Sequence, residues 1–199
     1  MRKLTLAALL VICCSLSTRA QTADDYPRNE FFAGYSFNSA DINTLTVAPG
    51  RTGQHGLNLA YTRNVTRRVG LTFDVSGHFK RDHLTLDNLD FERKRDQYHF
   101  LAGLQFKARR DDGGRGAPFA HVLAGGAQFR GFASSRTQAG NVFIIDDARS
   151  FAFALGGGLD VRAGKHVDLR VIQADYLPTF FGGARQDNFR LSFGIVFRK

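Results

Sequence analysis

The chain has 199 residues with 27 Lys and Arg against 18 Asp and Glu, and its only two cysteines are Cys13 and Cys14. This length suits a single domain. Because both cysteines lie near the N-terminus, the rest of the chain excludes disulfides, thiol catalysis and cysteine-ligated metals. The basic residues are scattered rather than gathered on one stripe. The sequence therefore does not indicate a nucleic-acid-binding protein, and a polyanionic membrane surface is the more natural partner.

Residues 1–20 have the order of a secretory signal peptide: basic residues, an apolar run and small residues at a cleavage site. The apolar run ends near Cys14 and is shorter than the roughly 20 residues that a spanning helix needs. We expect cleavage between Ala20 and Gln21. Cleavage there removes three basic residues and no acidic one, which leaves a net charge of +6.

The remaining sequence shows no helical periodicity and instead alternates between large apolar and small or polar residues. This period of two indicates β-strands with one apolar face. The pattern is less regular in two segments. Residues 118–128 are apolar on both faces, which leaves their facing ambiguous. The alternation of 167–176 breaks at 173–175, which indicates either a β-bulge or the point where the strand leaves the membrane. The alternation predicts eight strands, at 31–37, 56–62, 69–78, 97–107, 118–128, 151–161, 167–176 and 189–197.

The connections between these segments alternate in length. The long ones are 38–53, 80–95, 130–149 and 177–187, and the short ones are 63–68, 109–116 and 163–166. An antiparallel up-and-down barrel in the outer membrane has long extracellular loops and short periplasmic turns in strict alternation. The sequence therefore predicts an all-β, eight-stranded antiparallel transmembrane β-barrel. We expect a signal peptide at 1–20, a short periplasmic segment at 21–29 and the barrel at 30–199.

The two faces of the strands favour a membrane barrel over a soluble one. A soluble barrel should carry Lys and Glu on the face that meets water, whereas here the second face is mostly Gly, Ala, Ser, Thr and Asn. Small residues suit the narrow lumen of an eight-stranded barrel, and large Phe, Leu, Val and Ile suit a surface that meets lipid. Tyr61 and Tyr98 lie toward strand ends, where aromatic rings form interfacial girdles.

The opening segment EFFAGYSF, the hairpin rhythm and the closing segment NFRLSFGIVFRK carry a family resemblance. Over roughly residues 28–199 the chain resembles the eight-stranded outer-membrane β-barrels that include the OmpA transmembrane domain and OmpX-type proteins. The resemblance implies insertion by the outer-membrane assembly machinery, which recognises a C-terminal strand ending in an aromatic residue. Phe197 matches that position and is followed by Arg198 and Lys199.

Charged residues on the inward faces suggest a polar network in the lumen, because charges in a narrow lumen are costly unless paired. We expect Arg170 to pair with Asp160 and the network to plug the lumen and hold the strand register. A narrow, gated pore is the alternative. The predicted network residues are Asp74, His78, Lys107, Asp160, Asp168, Arg170 and Arg190.

The motifs that point to catalysis are weak. Asp74, Ser76 and His78 share one strand face, but residues two apart on a strand are almost 7 Å apart, too far for a triad. The Gly156–Gly158 run lacks the context of a phosphate loop, and the histidines are dispersed, which disfavours a metal site. We therefore predict no catalytic, cofactor or metal site and no enzymatic activity.

The predicted function is that of a monomeric outer-membrane protein with a structural or adhesion-like role, whose long loops form the interaction surface. The 130–149 connection, with its apolar stretch Val142 to Ile145, is a candidate contact. Expected partners are outer-membrane lipids, lipopolysaccharide and the assembly machinery, without nucleic acid. The alternatives are a narrow channel, a barrel enzyme that modifies lipid A or phospholipids, and a soluble lipocalin-like binder.

Overall fold

The structure is a computed structural model that describes residues 26–41, 50–86, 89–109, 114–137 and 140–199. Within these ranges only the backbone is described at 84–86, 89–91, 133, 135–137, 140–146 and 182. The predicted signal peptide and its cleavage site, Ala20 and Gln21, lie outside the described residues.

Eight antiparallel strands form a closed barrel in which each strand pairs with the next along the chain and β8 pairs with β1. The predicted fold class is confirmed. The first strand begins one residue before the predicted barrel domain. The strands are β1 (Asn29–Asp41), β2 (Arg51–Asn64), β3 (Val69–Leu86), β4 (Leu89–Lys107), β5 (Gly116–Thr137), β6 (Gly140–Arg162), β7 (Val167–Thr179) and β8 (Gln186–Arg198).

Both ends of the described chain lie at the end of the barrel that carries the three short connections. There Asn29 N donates to Lys199 O at 2.7 Å and thereby ties the first strand to the last residue. In the β2–β3 turn, the Thr66 hydroxyl accepts hydrogen bonds from the backbone N–H groups of Arg68 and Val69. Hydroxyl side chains favour tight turns in this way. This end is the periplasmic end of such barrels.

The prediction of long loops at 80–95 and 130–149 was wrong. β3 and β4 pair as far as Leu86 and Leu89, and β5 and β6 pair as far as Thr137 and Gly140. The ladder of backbone hydrogen bonds between β3 and β4 continues out of the apolar zone into the polar residues of 80–95. The side chains of the apolar stretch 142–145 lie outside the described residues.

The other two long connections are shorter than predicted. β1 extends to Asp41 and β2 begins at Arg51, and residues 42–49 lie outside the described part of the chain. β7 extends to Thr179 and is followed by a 3₁₀ turn, η1 (Phe181–Gly183), before β8 begins.

The structure resolves the facing of the two irregular strands. In β5, Phe119, Leu123 and Ala127 point into the lumen and Val122 points outward. In β7, Val171 and Ile172 are both exposed, and the register with β8 shifts between Arg170 and Gln173. This is a β-bulge, in which one extra residue reverses the alternation.

The barrel is apolar outside and polar inside. Phe73, Phe100 and Phe193 are each about half exposed on the outer face. The buried side chains of the described residues are mostly polar or charged. A soluble barrel has the opposite arrangement, so the lipocalin-like alternative is wrong, and the outer face is a surface for hydrocarbon.

Within the described ranges, the structure contains no helix that is both long enough and apolar enough to cross a membrane.

Candidate functional site: the ion pairs of the lumen

Four charged residues from four strands form a lower cluster toward the periplasmic end: Glu30, Lys107, Asp160 and Arg170. Lys107 Nζ lies 2.7 Å from Glu30 Oε2 and 2.7 Å from Asp160 Oδ2. Arg170 Nε lies 2.8 Å from Asp160 Oδ1, and its Nη2 lies 3.1 Å from Oδ2. The pair predicted from the sequence is therefore present, as a bidentate contact of the kind that arginine makes with carboxylates.

Arg170 is also held between two aromatic rings. Its guanidinium carbon lies 4.4 Å from the ring centroid of Phe32 and 4.1 Å from that of Phe119. Aromatic faces attract cations, and more strongly where water is excluded. The two rings and the carboxylate together fix the position of this side chain.

A central cluster lies farther up the lumen and consists of Asp74, His121, Asp175 and Arg190. Arg190 Nε lies 2.8 Å from Asp175 Oδ2, and its Nη1 lies 2.7 Å from Asp74 Oδ1. His121 Nε2 lies 2.7 Å from Asp175 Oδ1. Arg190 thus contacts two carboxylates, and Asp175 contacts two charged or titratable donors, Arg190 and His121.

One glutamine connects the two clusters. Arg170 Nη1 donates to Gln173 Oε1 at 2.7 Å, and Gln173 Nε2 donates to Asp175 Oδ2 at 2.8 Å. Gln173 points inward because the bulge in β7 reverses the alternation. The network is therefore continuous from Lys107 to Asp74.

The glycine run of β6 makes room for this network. A Cβ atom on Gly156 would lie 2.1 Å from Asp175 Oδ1 and 2.4 Å from the Ala174 carbonyl oxygen. A Cβ atom on Gly158 would lie 2.9 Å from the Phe119 ring. The run lies within a strand, and its role is close approach to a neighbouring strand rather than phosphate binding.

All seven residues predicted for the lumen are buried, but two of them stand apart from the clusters. Asp168 lies at the periplasmic rim, 2.9 Å from Arg198 Nε. His78 has a serine partner instead of a carboxylate, because its Nε2 lies 2.8 Å from Ser36 Oγ.

The sequence interpretation missed Glu30, His121, Gln173 and Asp175. Glu30 precedes the segment where alternation becomes visible, and His121 lies on the strand of ambiguous facing. The two β7 residues follow the bulge. A shift of one residue after Val171 would have placed both on the inward face.

The lumen also contains serine–histidine contacts that resemble part of a hydrolase site. Besides Ser36 with His78, Ser76 Oγ lies 3.3 Å from His99 Nδ1 and 2.9 Å from Arg190 Nη1. These four serine and histidine side chains are at most 2% exposed. A nucleophile enclosed in this way has no access to a substrate, and the contacts instead satisfy buried polar groups.

The extracellular half of the lumen is lined on one side by apolar side chains. Phe181 of the η1 turn folds into the barrel and is 1% exposed. Its ring lies 6.5 Å from that of Phe129 in an edge-to-face arrangement. Leu101, Leu123 and Leu177 belong to the same buried group.

The two predicted interfacial tyrosines lie on the outer surface near opposite ends of the apolar band. Tyr61 donates a hydrogen bond to Asn29 Oδ1 at 2.9 Å near the periplasmic end. Tyr98 lies beside Phe79, with ring centroids 5.8 Å apart, at the other edge. Their role as interfacial anchors stays a prediction.

The barrel is closed, its outer face is apolar and its lumen holds a network of ion pairs. This is the fold of the eight-stranded outer-membrane β-barrels, and the resemblance predicted from the sequence is confirmed at the level of the fold. No protein-family model and no curated protein matches the chain. Solved structures with similar folds do exist. The structure of Ail, the attachment invasion locus protein of Yersinia pestis, is 15% identical with a TM-score of 0.52, over 86% of this chain and 99% of that chain.

Two further structures are similar. Neisserial surface protein A is 12% identical with a TM-score of 0.50, over 88% of this chain and 100% of that chain. The outer membrane protease OmpT from Escherichia coli is 8% identical with a TM-score of 0.50, over 93% of this chain and 100% of that chain. At these identities the similarity concerns the fold alone.

Proposed function

We propose that this protein is an integral outer-membrane barrel with a closed lumen, and that its extended β3–β4 and β5–β6 hairpins interact with partners at the cell surface. The observation that carries the proposal is the length of these strands. β3, β4, β5 and β6 have 18, 19, 22 and 23 residues, whereas about 9 to 11 residues cross a membrane. The excess forms two paired hairpins beyond the apolar band.

The contents of the lumen favour closure over conduction. Lys107, Asp160, Arg170 and Arg190 are each at most 4% exposed and are paired with one another or with neighbouring carboxylates. Ions that are already paired offer a passing solute no free charge, and breaking a buried pair costs several kcal/mol. The apolar group around Phe181 obstructs the same passage near the extracellular end.

The outer face of the hairpins supports lipopolysaccharide as a partner. Arg81, Lys94, Arg130 and Arg149 lie just beyond the apolar band on four adjacent strands. Arg81 lies opposite Lys94, and Arg130 and Arg149 are each offset by two register positions from the basic residue of the preceding strand. Lys94 Nζ lies 3.0 Å from Glu92 Oε1. Basic side chains at this level attract anionic lipid headgroups. The proposed role is non-enzymatic, which agrees with the burial of the serine–histidine contacts among the described residues of the lumen.

The closed lumen is tested by planar-bilayer conductance of the refolded chain. We expect no steady single-channel current from the native protein. In a Lys107→Ala/Arg190→Ala variant, whose paired charges are removed, we expect leak currents if the fold survives. A steady current through the native barrel would contradict closure.

The surface role is tested by trimming one hairpin. Residues 132–145 are replaced by Asn-Gly, which closes a two-residue turn on the pair Gly131 and Asp146. The native and trimmed barrels, reconstituted in nanodiscs, are compared for binding to immobilised lipopolysaccharide. The trimmed barrel keeps Arg81, Lys94, Arg130 and Arg149, so an Arg130→Gln/Arg149→Gln barrel of native hairpin length is compared beside it. We expect weaker binding by both variants with an unchanged heat-dependent gel shift. Equal binding would contradict a role for this hairpin.

A further inference from the structure

A cavity of about 60 Å³ opens at the periplasmic end of the barrel, far from the hairpins. Asp168 is the single acidic residue among the described residues that line it. The basic lining residues come from the turns after β2 and β4 and from the ends of β4, β6 and β8. They are Arg67, Lys107, Arg109, Arg115, Arg162 and Arg198.

Three of these cations are neutralised by acids of the barrel. Lys107 and Arg109 both pair with Glu30. Arg198 pairs with Asp168, with Nε 2.9 Å from Oδ1. These pairs hold the inner wall of the cavity in place.

Arg115 and Arg162 are different, because both side chains are exposed and neither has a carboxylate partner in the described part of the chain. A backbone hydrogen bond of 2.8 Å from Arg162 N to Arg115 O holds them side by side. Arg109 donates to the backbone oxygen of Arg67 and so joins the turns after β2 and β4. Residues 110–113, with the sequence Arg-Asp-Asp-Gly, lie outside the described residues.

The shape and charge of the cavity select among anions. Its volume holds roughly four waters, or one compact anion of similar size. A planar carboxylate accepts hydrogen bonds mainly in one plane, whereas the oxygens of a phosphate accept them from several directions. Guanidinium groups bind phosphate through paired N–H donors. Cations that approach from several turns therefore fit a phosphate better than a single carboxylate.

We propose that this cavity binds a phosphate group and that Arg115 and Arg162 are its principal ligands. The group belongs either to the headgroup of an anionic phospholipid in the inner leaflet or to a free phosphate in the periplasm. Both sources present the same oxygens. The site lies at the opposite end of the barrel from the hairpins, and its existence does not depend on the proposed surface role.

The test uses the full-length barrel in nanodiscs of zwitterionic phosphatidylcholine and measures binding of inorganic phosphate by equilibrium dialysis. The test variant is Arg115→Gln/Arg162→Gln. The control is Arg51→Gln/Arg185→Gln, which removes the same charge from exposed positions at the extracellular end. A parallel arm extracts the barrels from nanodiscs containing phosphatidylglycerol and counts retained lipids by native mass spectrometry. The heat-dependent gel shift verifies folding of each variant.

We expect the native barrel and the control to bind alike and the test variant to bind at least about tenfold more weakly. Loss in the dialysis arm identifies a free-phosphate site. Loss of retained phosphatidylglycerol alone identifies a lipid-headgroup site. Equal behaviour of the test variant and the control in both arms, or no binding in either arm, would overturn the proposal.

Discussion

Arg190 of β8 donates a 2.7 Å hydrogen bond to Asp74 of β3, although β1 and β2 lie between these strands in the barrel. The contact therefore crosses the lumen instead of following the wall. Backbone hydrogen bonds hold each strand only to its two neighbours. A side chain that connects strands three places apart fixes the cross-section of the barrel, which neighbour pairing alone leaves free.

Replacement of Arg190 by alanine should destabilise the barrel by about 3–5 kcal/mol, because it removes the guanidinium that two buried carboxylates share. Among the described residues, Asp74 then keeps only the neutral Asn58 amide, and Asp175 keeps His121 and Gln173. The measurement is the free energy of unfolding from denaturant titration in detergent, followed by the heat-dependent gel shift. Arg185→Ala is the matched control. Its side chain is 62% exposed, and surface changes of this kind usually stay within about 0.5 kcal/mol. Equal losses in both variants would show that the contact across the lumen contributes nothing.

Gly156→Ala should destabilise the barrel by about 1–3 kcal/mol, the usual cost of overpacking a filled interior. The added methyl group would meet Asp175 Oδ1 and the Ala174 carbonyl oxygen, and the backbone cannot move away without breaking the β6–β7 ladder. Gly164→Ala is the control, since a Cβ atom there meets nothing within 4 Å. The same titration measures both, and an unaffected Gly156→Ala barrel would contradict the close approach.

The fold was predictable from the sequence because the alternation of large and small residues follows directly from the geometry of a strand between lipid and lumen. The same signal gave Arg170 and Asp160 as a pair, since both lie on clear inward faces of adjacent strands. It failed after Val171, where a bulge reverses the facing of Gln173 and Asp175. The break at 173–175 was visible and allowed a bulge, but it did not show which residues face inward, so Asp175 was missed. His121 was missed because its strand is apolar on both faces, and the central cluster was therefore only half predicted.

The hairpin extensions were missed for a different physical reason. Residues 80–95 are strongly charged, and charged segments ordinarily indicate a solvated loop. Beyond the membrane, however, a paired hairpin exposes both faces to water or headgroups, and its sequence need not alternate between apolar and polar. The pairing of these residues is set by the barrel strands that they extend, and not by the strand preference of the local sequence.

The β3–β4 hairpin should lose local stability in acid through Asp82. Burial alone would raise the pKa of this carboxyl, but the Arg95 guanidinium and the Lys80 ammonium together lower it below its ordinary value. A lowered pKa means that the carboxylate stabilises the folded hairpin above the ordinary aspartate value of about 4. That contribution disappears as the pH falls through the pKa of the folded state.

The measurement for Asp82 is amide hydrogen exchange of the hairpin in Asp82→Asn at neutral pH. We expect exchange about fivefold faster, which corresponds to about 1 kcal/mol for a charged hydrogen bond at a partly exposed site. Glu92→Gln on the same hairpin is the control, since Glu92 pairs with Lys94 in the open. Asp82→Asn should also flatten the acid response. Identical exchange in both variants would contradict the assignment.

The lipid-facing surface is tested by an arginine at Phe193, which is 54% exposed on the middle of β8. In a membrane barrel this change places a charge in hydrocarbon and should cost about 2–4 kcal/mol, whereas near the interface the cost falls to about 0–1 kcal/mol. Val65→Arg in the β2–β3 turn is the matched comparison, with 56% exposure at the periplasmic end. Unfolding in lipid vesicles by denaturant gives both free energies. If Phe193 faced water instead of lipid, its replacement by arginine would leave the free energy of unfolding unchanged or raise it. We therefore expect a lower free energy of unfolding in vesicles for Phe193→Arg than for Val65→Arg. Equal free energies for the two variants would mean that β8 does not face lipid.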